Sequence, residues 1–586
     1  MPLQRVVHAL ILVLHHHSLV AVSWSGPSLR MVKSPTGGFP ALELTRDGAP
    51  QATLLPPHWL NINNQGVADL AAIADQLTHA REAGMQLISI QGSDSLSVPP
   101  VSSGTQQLMD LIHTHHPTAV VIVRWLIESW ADIGRLGMRK QDILNSSSYY
   151  TTGMNSPSEA WAASAARNFS NALRGLDQAY PGMIAGVQLT GMETGEWFFP
   201  PAEPGNDNHD NVPGLFVGDY TEQISREFCS ADLPDGGARC QSPPSASERN
   251  SPTLGNALMQ WDNYSAPSAR SVRFNLFLSR QVARAVATFA AAVKEVTGNA
   301  TLCLSFYCYL FELSDSRLAG SGHLACGELE SSSFALDGIV SPYQYSSYAR
   351  VPAGRLTVHG PIDSPTLHGK FWVVEDDTRT VLAAPSSLRF ATTVNSTLNI
   401  LRRNAYTAML RQAGLYWLDL SCQGWFGRPD NHSTVSTTQQ IWTMAVQVRR
   451  QWSRLLQSEK LQTELLPAEI AVFVDERSAA AAPLLGLDGA VQTGNSFETL
   501  LIRDPWHALS GIGASVRVFL LSDLHLPNFP AHQFRMCVFL NAISVPAATR
   551  LVVREKLQKD SKSLVWMYAP GIFDTGVNQV RPTHTQ

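Results

Sequence analysis

The sequence predicts an α/β chain: a barrel of eight parallel strands alternating with helices, followed by a smaller doubly wound α/β domain. Three observations predict it. Short apolar runs alternate with helix-like stretches from about residue 50 to 420. A fresh strand-helix alternation starts at Ala468. The 586 residues exceed what one ordinary core holds but suit a large barrel plus a companion. Strands that alternate with helices imply βαβ units and a parallel sheet.

The predicted strands run as follows. The first is Thr53–Trp59, the second Met85–Ile90 and the third Ala119–Trp125. The fourth is Ile184–Leu189, the fifth Thr301–Tyr307 and the sixth Gly338–Tyr343. The seventh is Lys370–Glu375 and the eighth Gly414–Asp419. Between them, Val67–Ala83, Ser158–Tyr180, Val272–Val296 and Ser386–Gln412 carry apolar residues at helical spacing. Ser158 serves as a cap and Pro181-Gly182 as a stop for the second of these helices. A helix over Thr437–Leu465 closes the barrel. The second domain has strands at Ala468–Asp475, Ser515–Leu520, Met536–Leu540 and Leu564–Met567, with a helix over Ala547–Gln558. The expected organisation is a signal peptide over 1–24, a barrel over 40–463 with a long loop over 200–265, and the second domain over 468–586.

Composition narrows the function. Charged residues are 16% and hydrophobic residues 44%, a globular balance, and the net charge of −5 lacks the basic footprint of a nucleic-acid binder. The start, Met1 to Arg5 followed by the mostly apolar Val6–Val22, reads as a secretory leader, although His15–His17 interrupts it. No other run reaches the ~20 apolar residues of a membrane span. Sequons at Asn145, Asn168, Asn263, Asn299, Asn395 and Asn431 fit a secreted glycoprotein. Of seven cysteines, Cys229 and Cys240 flank a loop and form the expected disulfide, while Cys303 and Cys308 read as buried thiols. No C-x-x-C pair or His/Cys cluster has zinc spacing, so no metal or cofactor is expected.

In a parallel barrel the active site lies at the C-terminal strand ends. Two of these ends carry glutamates beside aromatic residues: Glu193 and Glu196 after the fourth strand, and Glu375 at the end of the seventh. Two carboxyl groups flanking one bond are what glycoside hydrolysis requires, one to protonate the leaving oxygen and one to attack the sugar or activate water. The bland alternative is a carboxylate salt-bridged to a neighbour such as Arg379. Arg124, Trp125, Glu128, Tyr343, Gln344, Trp417, Asp419 and Trp425 occupy strand ends where a sugar would bind. Asp376 and Arg379 are placed to hold Glu375.

Glu375-Asp-Asp-Thr-Arg-Thr380 resembles the nucleophile segment of the β-galactosidase-like barrel hydrolases of glycoside hydrolase family 42. Gly186 to Trp197 resembles their acid/base segment. The stretches Val472–Ser478, Phe519–Leu524, Phe539–Ala542 and Trp566–Gly571 are similar to their flavodoxin-like trimerisation domain. The resemblance implies a (β/α)8 TIM barrel, a carbohydrate substrate such as a β-galactoside, a retaining mechanism with Glu375 as nucleophile, and a homotrimer. It implies Glu196 or Glu193 as the acid/base. The family's acid/base follows an Asn, and neither Glu193 nor Glu196 does. Glu196 is preferred because Trp197 beside it offers an apolar wall. The competing reading is a catalytically inactive barrel kept as a carbohydrate-binding or scaffold protein. An aldolase-type barrel would need a lysine at a strand end, and Lys370 opens its strand instead.

Overall fold

The computed structural model describes residues 24–34, 39–46, 48, 51–63, 69–92, 103–127, 157–192, 195–199, 218–231, 242–249, 266–313, 318–332, 335–384, 391–420, 423–430, 432–458, 460, 468–481, 498–559 and 562–572. The leader over 1–24 falls almost wholly outside them, as does most of the loop over 200–265.

The chain opens with an antiparallel sheet that the sequence reading did not anticipate: β1 (Ser28–Lys33), β2 (Pro40–Thr45) and β3 (Thr53–Leu55). It seats against the N-terminal end of the barrel, where the Leu29 N–H donates to Ala300 O at 2.8 Å. The expected first strand, Thr53–Trp59, is therefore two elements. Pro56 and Pro57 separate β3 from the first barrel strand, because proline supplies no N–H to a ladder.

Eight parallel strands close the barrel: β4 (His58–Asn63), β5 (Leu87–Gln91), β6 (Val120–Ile127), β7 (Ile184–Gly191), β8 (Leu302–Phe306), β9 (Gly338–Pro342), β10 (Phe371–Asp376) and β11 (Gly414–Leu420). The seven strands from β5 to β11 each lie within two residues of the predicted spans at both ends. β6, of sequence VVIVRWLI, shows why: a strand covered on both faces is apolar throughout.

Helices pack outside. They include α1 (Leu70–Glu82), α2 (Ser103–His115), α3 (Glu159–Ala179), α4 (Ala266–Thr297), α5 (Cys326–Ser332), α6 (Val394–Leu410) and α7 (His432–Gln457). Ser158 caps α3 by accepting the Trp161 N–H, and Trp161, Ala165, Phe169, Ala172 and Leu176 bury one face of it. α4 contains the one described stretch, Ala269–Thr297, long and apolar enough to span a membrane. It is mostly buried, and its Phe289 packs against Trp161, Phe169 and Trp197. It is read as a helix of the core.

The C-terminal unit is a four-stranded parallel sheet of β12 (Ile470–Val474), β13 (Val516–Leu520), β14 (Met536–Phe539) and β15 (Ser563–Trp566), in the order β13-β12-β14-β15. This is the doubly wound order of flavodoxin-like sheets. Alternation divides its core. Ile470, Val472, Val474, Val518 and Leu520 join the barrel's apolar cluster, while Ala471, Phe473, Phe519 and Phe539 face a second one with Phe529 and Phe534.

Buried charge ties the sheet to the barrel. Asp363 accepts from Arg411 Nη1 at 2.8 Å, Arg517 Nη1 at 2.7 Å and the Val518 N–H at 2.7 Å. Two arginines and a backbone donor satisfy one buried carboxylate, the condition under which such a pair is tolerated. Glu476 accepts the Cys326 and Gly327 N–H groups at the start of α5, at 2.7 and 3.4 Å. Those donors favour its charged form, but burial prevails and lifts its carboxyl from the ordinary 4.5 to about 7. A folded-state value above the unfolded one adds stability that is complete below pH 4.5 and lost as pH rises to about 7. Glu476→Gln is therefore expected to flatten the decline in stability over that window by on the order of 3 kcal/mol, read from urea unfolding at several pH values.

Candidate active site

Side chains along a barrel strand alternate between the interior and the helix layer. Ordered contacts show the phase of each strand here. On β6, Arg124 points inward and Trp125 outward, where its ring meets Phe169 of α3 edge-on at 5.3 Å. On β10, Glu375 points inward and Asp376 outward, bonded to Thr378 at 2.6 Å and facing Asn404 of α6. On β11, Tyr416 points inward. Trp417 points outward, stacked on Phe426 at 5.0 Å and against Trp442 of α7.

The inward residues converge. Glu375 Oε2 accepts from Arg124 Nη1 at 3.0 Å and from the Tyr416 hydroxyl at 2.6 Å. Gln188 of β7 donates to the same Tyr416 oxygen at 3.2 Å. Arg124 lies over the Phe306 ring at 4.8 Å. Glu375 is 3% exposed, and this burial pushes its carboxyl up. The Arg124 cation, and next to it the Tyr416 hydroxyl bond, pull it back toward ionisation. Asn61, Gln91 and Gln188 each bury a side-chain oxygen that has no partner among the described residues.

Across the mouth, Glu196 is half-buried on a tight turn after β7. Met192 (φ 59°), Gly195 (φ 80°) and Trp197 (φ 63°) all occupy the left-handed region. For the two non-glycine residues this conformation is strained by ~1–3 kcal/mol each. The turn holds because the Trp197 N–H donates to Gly191 O at 2.7 Å and the Gly195 O accepts from Gly191 at 3.1 Å. The Tyr309 hydroxyl donates to Glu196 Oε1 at 3.1 Å. Tyr309 follows the fifth strand, and its own N–H donates to His323 Nδ1 at 3.1 Å. That bond leaves the ring proton on Nε2, which donates to Glu196 O at 3.0 Å. Burial drops His323 to about 3, so the ring is neutral and its tautomer is set by these two bonds. Arg124 and Tyr309 both feel the charges of Glu196 and Glu375, so the two carboxyl groups share one electrostatic neighbourhood.

The predicted site residues separate into groups. Arg124, Glu196 and Glu375 come together. Trp125, Asp376, Trp417 and Asp419 face the helix layer instead of the mouth. Asp419 accepts from Gln76 of α1 at 2.8 Å and from the N–H groups of Gln423 and Gly424, anchoring that loop. Trp197 is fully buried against Phe289, so its ring packs into the core. Tyr343 and Gln344 are buried, the former bonded to Thr378 at 2.8 Å and the latter accepting from Tyr348 at 3.3 Å. Trp425 is 3% exposed, with Arg379 over its ring at 5.5 Å. Arg379 pairs with Asp377 at 3.4 Å and so does not hold Glu375. Glu193 and Glu128 lie outside the described residues. Cys229 is disulfide-bonded, with Cys240 likewise outside the described residues, and Cys303 and Cys308 are buried free thiols as expected.

Sequence reasoning missed Tyr416, Gln188, Tyr309 and His323. Tyr416 and Gln188 were legible from strand phase once Glu375 and Arg124 were taken as inward. Tyr345 was missed too: it is 42% exposed after the sixth strand, with Arg350 over its ring at 4.4 Å.

Compared with known proteins, the chain matches no family model and no curated protein. Solved structures do match. An exo-carrageenase of family GH42 from Bacteroides ovatus aligns over 100% of this chain and 72% of its own, at 10% identity and a TM-score of 0.52. The chain has the fold of that GH42 barrel. A β-galactosidase from the psychrophilic Marinomonas ef1 aligns over 87% of this chain and 75% of its own, at 13% identity and a TM-score of 0.49. An exo-β-1,4-mannosidase from an Opitutaceae bacterium aligns over 92% and 80%, at 11% identity and a TM-score of 0.42.

The turn that carries Glu196 gives a direct test. A Cβ on Gly191 would lie 2.8 Å from the Trp197 ring. Gly191→Ala is expected to displace that ring and lower stability by ~1–3 kcal/mol. Thermal unfolding would report the loss, and a weakened Glu196 position would appear as reduced turnover.

Proposed function

We propose that this chain is a retaining glycoside hydrolase acting on β-galactosides or related glycans. The observation that carries the reading is Glu375, buried at the end of the seventh strand and bonded on one oxygen by both Arg124 and Tyr416. A nucleophile must be ionised at working pH, and a cation plus a hydroxyl on the carboxylate favour that form against the upward push of burial. Glu375 would attack the anomeric carbon, and the C–O bond to the leaving group would break. Glu196 would deliver its proton to that leaving oxygen. Water would then enter, lose a proton to Glu196 and release Glu375 from the glycosyl ester. Tyr309 and His323 would act as positioning residues that fix the Glu196 side chain and backbone. The exposed Tyr345 ring offers a face on which a sugar could stack.

The GH42 exo-carrageenase and β-galactosidase among the similar structures act on glycans by their names, which supports a carbohydrate substrate. Gly195, not Asn, precedes Glu196, and this departure favours the second reading, a binding barrel without turnover. The disulfide at Cys229 supports passage through an oxidising compartment, and hence secretion. Val565, Met567 and Tyr568, exposed at the edge strand β15, support a homo-oligomer such as a trimer, which light scattering would measure.

A panel of nitrophenyl glycosides tests the activity. Wild type is expected to hydrolyse at least one. Glu375→Ala should lose the activity and regain part of it with azide, as the small anion takes the place of the missing carboxylate. Sugar binding with no turnover of any glycoside would favour the binding barrel.

Arg124 tests the ionisation argument. Arg124→Met removes the cation from Glu375, so the acidic limb of the kcat/KM profile should move upward by about 1–3 pH units. An unmoved limb would mean that another group titrates there.

A further inference from the structure

Away from the barrel mouth, Glu330 of α5, His368 and Asp523 meet where the barrel packs against the C-terminal sheet. Each offers one donor atom, and the three atoms lie within 4.8 Å of one another. Glu330 is 2% and Asp523 1% exposed. His368 Nε2 is 3.0 Å from Asp523 Oδ1 and 3.6 Å from Glu330 Oε2. Ser364 Oγ lies 2.8 Å from Glu330 Oε2 and 2.6 Å from Asp523 Oδ2.

The local hydrogen bonding does not close. A hydroxyl has one proton, so Ser364 can donate to only one of the two carboxylates it touches. Glu330 Oε1 is buried with no hydrogen-bond partner in the described structure. Two buried carboxylates share one imidazole, and an uncompensated buried carboxylate is costly. A divalent cation would supply the missing positive charge and take up the free lone pairs.

The surroundings allow it. His368 and Asp523 line a cavity of about 380 Å³ that also touches Glu328, Glu476 and Ser522. A cavity of this size gives an ion an entry path and room for the waters that complete its coordination. One imidazole nitrogen with two carboxylate oxygens is a donor set suited to zinc or manganese. No metal motif was legible in the sequence, because the three residues lie far apart along it.

We propose that Glu330, His368 and Asp523 form a divalent transition-metal site that fastens the C-terminal sheet to the barrel. Ser364 would orient the carboxylates from behind. The ion is structural in this proposal and takes no part in glycoside chemistry.

The test uses the full chain, stripped with EDTA and titrated with Zn²⁺ and separately with Mn²⁺ by calorimetry. One equivalent of either ion should bind saturably and raise the unfolding midpoint. Glu330→Gln and Asp523→Asn, each confirmed as folded by circular dichroism, should abolish both effects. Ser364→Ala should weaken binding by about 10–100-fold. If wild type binds neither ion saturably, the three residues form a hydrogen-bonded cluster sharing a proton, and the proposal is overturned. Binding that persists unchanged in folded Glu330→Gln and Asp523→Asn would overturn it as well, by placing the ion elsewhere. The wild-type titration decides the matter even if a variant fails to fold.

Discussion

Two-residue alternation along the parallel strands governs much of this molecule. Each barrel strand is covered on both sides, so a neighbouring residue one place along points into a different environment. Arg124 meets Glu375 inside the barrel while Trp125 meets a helix outside it. The same rule splits the C-terminal sheet into a face that continues the barrel's core and a face that builds its own. A one-residue slip on β10 would turn Glu375 to the helix layer and bring the shorter Asp376 inward, out of reach of the Arg124 and Tyr416 contacts that Glu375 makes.

The two glutamates at the mouth are held by different means. Glu375 lies within a strand, where ladder bonds and close packing leave its backbone little freedom, and side chains from neighbouring strands set its charge. Glu196 lies on a strained turn and depends on a chain of contacts through Tyr309, His323 and Trp197. A carboxyl fixed by its strand faces one whose position rests on its supports. Under the proposed mechanism that division suits the pair, one member attacking from a fixed point and the other giving and taking a proton. It also makes the Glu196 turn the more sensitive to changes in the layer beneath it.

The contact between barrel and C-terminal sheet buries several carboxylates beside its apolar packing. Asp363 is matched by two arginines and an amide, so its burial is compensated. Glu476 is matched by two amides and the neighbouring Arg477 charge, and burial still prevails. Glu330 is matched least well, its Oε1 having no hydrogen-bond partner among the described residues, whereas the neighbouring Asp523 also takes the Leu520 N–H at 3.0 Å. Apolar packing joins the two units in the same region, so these groups are held in place regardless of their own balance.

The strand and helix sequence was legible in the residues because it rests on local signals: apolar runs, caps and stops. The C-terminal strands along the chain and the strand-end positions of Glu375, Arg124 and Glu196 followed from it. β1 and β2 went unread because strands of mixed polarity carry little periodic signal. The sequence by itself determined that parallel strands would present carboxylates at their C-terminal ends. Only the tertiary structure decided which residues share a site. Trp125, Trp197 and Trp417 went to the core, Tyr416 and Tyr309 came to the glutamates, and Glu330, His368 and Asp523 met across an interface. The physical reason is that side-chain direction depends on strand phase, turn conformation and domain packing, and contacts between residues far apart in the chain leave no local pattern to read.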